Sequence, residues 1–369
     1  MIQSYRFSLK TTTDNNDKEM YIIEGHHDNE LPHIEDRDLS ENILPLLPPD
    51  FKFRTLTLSH ISVIHALLMN HYIEDEYGIL RLVYSKKFLY WYLKNVPSEL
   101  LIGLSYKDKL VGFITCIVSK YFINDKEVTL PFGNLLCLQQ NLRGLGMAKY
   151  LIEELRTRLV KMKLEKYMFT SATELTTPFA ILSAYSIPLN QTHLRNVDFL
   201  QEDFPHPPKI KNNPLRMMCI DDAEQIATTL TTECSKYVVR PVFTKQYVID
   251  FMKPYKDIIY SYVIKNADNI VTDFVSVMKT YYYCMEKKEI VQLANLTFYF
   301  NKSIALRDLI CCLIDKIKRH GFDQFNFYNI MDNDDIHLSK FETSCPLHVY
   351  IYNLQMQSVQ NKNICMMIV

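Results

Sequence analysis

Net charge is almost absent from this chain: 41 basic residues against 42 acidic leave -1. No global field therefore draws nucleic acid or anionic lipid to it. Long apolar runs are missing as well. None approaches the ~18 uninterrupted residues of a membrane helix. The start, Met1 to Phe7, lacks the apolar core and cleavage site of a signal peptide. The nine cysteines are scattered, with no Cys-x-x-Cys and with Cys311 next to Cys312. That usage indicates reduced thiols and a cytoplasmic setting. No Ser/His/Asp order and no metal-ligand spacing stands out. His26, His27 and His33 sit among acidic residues and read as part of a solvated arm, so no metal is expected. Glycine is scarce, 8 in 369 residues, which makes any close pair of glycines informative.

What is present suits a soluble globular protein: 48% hydrophobic residues, 22% charged, and enough length for two domains, each with a core. Tyr (24) and Phe (20) favour sheets and apolar pockets. Residues 1–50 read as a polar arm that ends in Leu44-Pro45-Leu46-Leu47-Pro48-Pro49. From Phe53 the pattern gives a strand, a helix over about 59–70, the acidic turn Glu74-Asp75-Glu76, and a helix through Phe88, Leu89, Trp91 and Tyr92. Segments 109–122 and 127–138 form a hairpin about Asn124-Asp125; a helix to about 163 and a strand at 167–171 follow. The same order returns about 160 residues later, as a hairpin at 270–283 and 289–300, a helix at 303–320 and a strand at 322–328. Two related α/β halves are expected, joined near Pro205 to Pro214.

Between the first hairpin and its helix runs Asn134-Leu135-Leu136-Cys137-Leu138-Gln139-Gln140-Asn141-Leu142-Arg143-Gly144-Leu145-Gly146-Met147-Ala148. Two of the eight glycines fall here within three residues. Without a Cβ they let backbone amides come close to a ligand. Those amides open a helix, where unpaired donors and the dipole favour an anion such as a phosphate. The helix continues with Tyr150, Leu151, Leu155 and Leu159 as one apolar stripe. At the matching place the second half has Asn301-Lys302-Ser303-Ile304-Ala305-Leu306-Arg307, without glycine. One such anion site, in the first half, is expected.

This strand, loop and helix resembles the pyrophosphate loop of the GNAT acyltransferases, which hold the diphosphate of an acyl-coenzyme A. Further segments fall, over nearly the whole chain, in the order of one particular family. Asn70-His71-Tyr72-Ile73-Glu74-Asp75-Glu76 is similar to N-x-Y-V-E-D-D, and Arg81-Leu82-Val83-Tyr84-Ser85 with Phe88-Leu89-Tyr90-Trp91 resembles R-F-x-Y-S-x-x-F-L-x-W. Leu110-Val111-Gly112-Phe113-Ile114 matches L-V-G-F-I, and Asn134-Leu135-Leu136-Cys137 stands for N-F-L-C. Thr272-Asp273-Phe274, Phe298-Tyr299, Gly321-Phe322-Asp323 and Tyr350-Ile351-Tyr352-Asn353 follow in order. The chain resembles the glycylpeptide N-tetradecanoyltransferases, or N-myristoyltransferases. A composition leaning to Ile, Asn, Lys and Tyr, together with the divergence, suggests a large DNA virus such as an insect poxvirus.

The resemblance implies an α/β (α+β) fold of two fused GNAT-like halves related by internal pseudo-symmetry. Residues 1–50 would be an arm over the acyl-CoA site, 51–205 the acyl-CoA-binding half, and 206–369 a half giving the peptide site and the C-terminal carboxylate. It implies transfer of a tetradecanoyl group from myristoyl-CoA to the amine of an N-terminal glycine, by a monomer in the cytoplasm (the host's, if viral). No nucleic acid, membrane span or metal is expected. Backbone amides of Leu135 and Leu136 would form an oxyanion hole, and the α-carboxylate of Val369 would be the general base. Acyl-CoA would meet Arg6, Phe7, Ser8, Leu135, Leu136, Cys137, Leu138, Arg143, Gly144, Gly146, Met147 and Ala148. The peptide would meet Tyr72, Glu74, Asp75, Thr170, Tyr185 and Thr297.

Departures concentrate on the peptide side. The family's Tyr and His of the peptide groove become Ala184 and Ser186, and its G-I-G-D-G becomes Glu342 to Pro346. Cys137 reads as core rather than nucleophile. The apolar close Ile364-Cys365-Met366-Met367-Ile368-Val369 is costly to leave in water. Burial there would raise the carboxyl's pKa toward that of the amine it deprotonates. The alternative reading is a weak or inactive descendant that binds acyl-CoA or peptide without turnover.

Overall fold

Two long hairpins organise the molecule, whose computed structural model describes residues 47–75, 78–343, 346–354 and 356–368. In the first, strand Lys109–Ile123 pairs antiparallel with Lys126–Leu138. Asn124 and Asp125 make its turn at φ 48° and 63°, the left-handed backbone that two-residue turns require and that Asn and Asp tolerate. Ile102–Tyr106 and then Phe51–Thr55 extend the sheet on one side. Helix Met147–Lys161 crosses over to Tyr167–Ser171, which lies parallel to Lys126–Leu138. That helix buries Tyr150, Leu151, Leu155 and Leu159, the stripe predicted for it. Its packing explains Gly112: a Cβ there would sit 2.7 Å from Leu138 Cδ2 and 3.0 Å from Leu151 Cδ1.

The second half repeats the plan. Val271–Cys284 pairs antiparallel with Glu289–Asn301, helix Leu306–Lys318 crosses over, and Gln324–Tyr328 returns parallel. The two sheets are interlocked by reciprocal exchange. Leu80–Val83 from the first half pairs with Tyr281–Cys284, and Val239–Pro241 from the second pairs with Tyr121–Ile123. Likewise Ala184–Pro188 lies beside Gln324–Tyr328, while Leu347–Tyr352 lies between Tyr167–Ser171 and Ala180–Leu182. The expected α/β class with two pseudo-symmetric halves is therefore found, and the halves share strands. The chain passes from one sheet to the other between Leu182 and Ala184, ahead of the join read at Pro205 to Pro214. Among the described residues no helix is long and apolar enough to cross a membrane.

The loop that opens the second crossover helix shows why an anion is not needed there. Asp273 is fully buried. Its Oδ1 accepts the backbone N–H groups of Lys302 (3.0 Å), Ser303 (3.0 Å) and Ile304 (3.3 Å), and its Oδ2 accepts the hydroxyls of Thr272 (2.7 Å) and Ser303. An internal carboxylate thus fills the nest of amides. Asp273→Ala should cost about 2–4 kcal/mol of stability by orphaning these donors. Asp273→Asn, which keeps one acceptor oxygen, should recover part of the loss in urea unfolding.

Candidate active site

The first hairpin carries a defect at the point that matters most. Phe113 pairs with Cys137 and Thr115 with Asn134, so Leu135 and Leu136 together face Ile114. This is a β-bulge, which breaks the hydrogen-bond ladder and re-aims the backbone. Leu135 pays for it with φ 54°, a left-handed conformation uncommon for a bulky residue and typical of functional sites. Its side chain is fully buried. Its N–H donates to Asn134 Oδ1 at 2.7 Å, and Asn134 Nδ2 donates to the Tyr92 hydroxyl at 3.1 Å. The amide pair expected to receive an oxyanion therefore sits on a bulge, with the carbonyl of Asn134 covering one donor. The second hairpin repeats the bulge: Val275 pairs with Tyr299 and Val277 with Leu296, leaving Thr297 and Phe298 opposite Ser276.

Just beyond the first bulge, Gly144 and Gly146 both take positive φ, 77° and 75°. A Cβ at Gly144 would meet nothing within 4 Å, and one at Gly146 would lie 3.6 Å from Lys149 Cε. Conformation rather than crowding demands glycine here. Gly146 caps helix Met147–Lys161, and no side chain caps that first turn. Met147 and Ala148 are buried beneath it. Beside the loop an open depression of about 500 Å³ is lined by His71, Gln139, Gln140 and Asn141.

Several residues assigned to ligands from the sequence also hold the protein together. Arg143 donates to the carbonyls of His71, Tyr72 (3.4 Å) and Leu138 (3.4 Å). It braces the C-terminal end of helix Ile61–His71, where a cation suits the dipole. Cys137 donates to the His71 carbonyl at 3.3 Å, and burial pushes its thiol up to about 12. It is core, as read, and Leu138 is buried beside it.

On the peptide side, Glu74 holds Arg81 through Nε (3.1 Å) and Nη2 (2.6 Å), and Asp75 Oδ1 accepts the N–H groups of Ile79 (2.7 Å) and Leu80 (2.8 Å). Both carboxylates build the turn that presents Leu80–Val83 to the other sheet. Tyr72 is buried with its ring 5.7 Å from that of Tyr84. The Thr297 hydroxyl closes the second bulge by donating to the Ser276 carbonyl at 2.9 Å, and is buried there. Thr170 is half-buried opposite Val349. Tyr185 is half-buried with the Lys340 ammonium 4.4 Å over its ring; burial, then Glu342 and Asp334, push its phenol up. Ser186 is buried in a polar ladder with Asn326 (3.0 Å) and Gln324 (2.8 Å) that the sequence did not disclose. Arg6, Phe7, Ser8, Val369 and the three N-terminal histidines lie outside the described residues.

Two family models cover the chain. The N-terminal domain of myristoyl-CoA:protein N-myristoyltransferase matches residues 32–182, and its C-terminal domain matches residues 185–366. The chain belongs to this family. It is accordingly an acyltransferase with myristoyl-CoA as donor. The two models divide where the chain crosses between sheets. A relative from Acanthamoeba polyphaga mimivirus that carries the name glycylpeptide N-tetradecanoyltransferase is 38% identical over 328 residues, covering 86% of this chain and 92% of its own. That relative fits the viral source expected from composition. The Neurospora crassa glycylpeptide N-tetradecanoyltransferase is 25% identical, and the match covers 86% of this chain and 62% of that protein. Saccharomyces cerevisiae N-myristoyltransferase, solved with bound myristoyl-CoA, has the same fold at a TM-score of 0.83 and 22% identity, covering 92% of this chain and 91% of that one.

Proposed function

We propose that this chain moves a tetradecanoyl group from its coenzyme A thioester to the α-amine of an N-terminal glycine. The observation that carries the reading is the bulge at Leu135–Leu136 followed directly by a glycine-turned helix start. The helix start would hold the donor's diphosphate, and the bulge amides would lie under the thioester carbonyl. The neutral amine attacks that carbonyl, and the oxyanion rests on the amides of Leu136 and, once the Asn134 side chain yields it, Leu135; collapse expels the coenzyme A thiolate, which takes the second amine proton and leaves as the thiol. A preorganised backbone donor of this kind is worth ~3–4 kcal/mol of barrier. The base would be the α-carboxylate of Val369, the residue to which the buried segment Ile364–Met367 leads. A binding protein without turnover is the less favoured reading, because the family's donor-side features are retained.

The purified protein, given tetradecanoyl-CoA and a short peptide beginning with glycine, should yield acyl-peptide by mass spectrometry. The same peptide beginning with alanine should react at least about tenfold more slowly, since a Cβ crowds the approach to the bulge. Equal turnover of both peptides would overturn the glycine assignment. No product from either would overturn the activity.

A further inference from the structure

His71 is a residue that the reaction as derived leaves unused. It ends helix Ile61–His71 and lines the depression of about 500 Å³ beside the glycine loop. Its backbone is fixed from behind, because its carbonyl accepts from both Arg143 and Cys137. Its ring is the opposite case. Nδ1 is enclosed by protein yet has no hydrogen-bond partner among the described residues. With no partner on its enclosed nitrogen the ring's tautomer is set by nothing behind it, so the side that lines the depression is free to meet a ligand. The charges that act on the ring are Arg143 from the loop, Arg81 from strand Leu80–Val83, and Glu74 from the acidic turn, which holds Arg81 in an ion pair. Two cations against one carboxylate make this a place for an anion.

We infer that His71 is a ligand for the anionic diphosphate of the acyl donor, taking a proton from solvent as the donor binds. The proposal rests on the acyl-CoA reading of the glycine loop. In the free protein, burial first, then Arg143 and Arg81, hold the imidazole below its ordinary value, so it is largely neutral at pH 7. A diphosphate beside it neutralises the field of the two arginines and favours the imidazolium. The sign follows. Binding raises the imidazole's pKa, so the gain in affinity is present below the bound value and fades as pH rises through it.

The test is titration calorimetry of tetradecanoyl-CoA into wild type, His71→Asn and His71→Lys. It is run at pH 6.5 and 8 in two non-phosphate buffers of different ionisation enthalpy. The variants share the ligand's own phosphate titration with wild type, so differences between proteins belong to residue 71. Wild type should take up on the order of half a proton more than His71→Asn at pH 6.5, and should gain about fivefold more affinity than that variant on going from pH 8 to 6.5. His71→Lys, charged throughout, should bind at least as tightly as wild type at pH 8, without the extra proton. Equal proton uptake and equal pH dependence in wild type and His71→Asn would overturn the assignment while leaving the donor site standing. Failure of wild type to bind tetradecanoyl-CoA at either pH would instead overturn the donor reading on which it rests.

Discussion

Gly146→Asp should lower the affinity for tetradecanoyl-CoA by at least about tenfold while leaving the protein as stable as Gly146→Asn. The pair is chosen because of the backbone. Gly146 sits at φ 75°, so most side chains there would be strained, and loss of binding would be confounded with loss of fold. Asn and Asp tolerate the left-handed region best, share a shape, and differ in charge. Each should cost about 1 kcal/mol against glycine. The Asp carboxylate can then accept the first-turn amides of Met147–Lys161, which no side chain caps now. In the second half a carboxylate, Asp273, already closes on three amides of the loop that leads into the crossover helix. Stability and donor affinity should therefore part company. The Asp variant should melt no lower than the Asn variant yet bind donor far more weakly, read by thermal melting and calorimetry on the same samples. Equal affinities in the two variants would remove the diphosphate from this loop.

The features the sequence disclosed are local ones. Alternation on both sides of Asn124-Asp125 revealed the first hairpin, because a two-residue left-handed turn fixes register by itself. The i, i+4, i+8 stripe of Leu151, Leu155 and Leu159 revealed the crossover helix, since it packs along its whole length. The exchanged strands were not legible. Leu80–Val83 and Val239–Pro241 are four and three residues long, too short to show a period, and each finds its partner in the other half. Ile102–Tyr106 was missed because it is buried along most of its length and so does not alternate.

At the site, motif order singled out segments but could not show which bonds their side chains make within the protein. Arg143 in the glycine loop and Glu74 and Asp75 in the acidic turn each bond to backbone or to a neighbouring side chain. Charged residues beside a helix end are wanted there whether or not a phosphate is bound. The bulge was equally hidden. Nothing in Asn134-Leu135-Leu136-Cys137 announces a left-handed leucine, because its cost is offset by surroundings that are far away in the sequence. The repeat of the same bulge at Thr297–Phe298 was foreshadowed by the displacement of about 160 residues between the hairpins.

Extending the chain by a few residues beyond Val369 should reduce peptide acylation by roughly 10²–10⁴-fold, the usual contribution of a positioned general base, while donor binding and melting temperature hold. The tail is anchored upstream of its end. The Val238 N–H donates to the Asn363 carbonyl (2.8 Å), the Cys365 N–H to the Val239 carbonyl (2.7 Å), and the Met331 N–H to the Ile364 carbonyl (3.0 Å). These bonds, and the burial of Ile364 to Met367, do not involve the terminal carboxylate, so an extension need not disturb them. The direction of the tail supports the assignment. Ile364 bridges in parallel to Val239, and Val239–Pro241 runs antiparallel to Tyr121–Ile123. At the bridge the tail therefore heads along strand Lys109–Ile123 from Ile123 toward Ile114, the residue that faces the bulge. A carboxyl with a reference pKa of ~3.5 is a poor base for an ammonium near ~8. Burial of that carboxyl would narrow the gap and make proton transfer productive. An extension that carries a protease site ending at Val369 gives the decisive comparison. Cleavage should restore turnover to that of the unextended chain, which a structural lesion in the tail would not allow. If the uncleaved, folded protein acylates glycine peptides at the wild-type rate, the carboxylate is not the base.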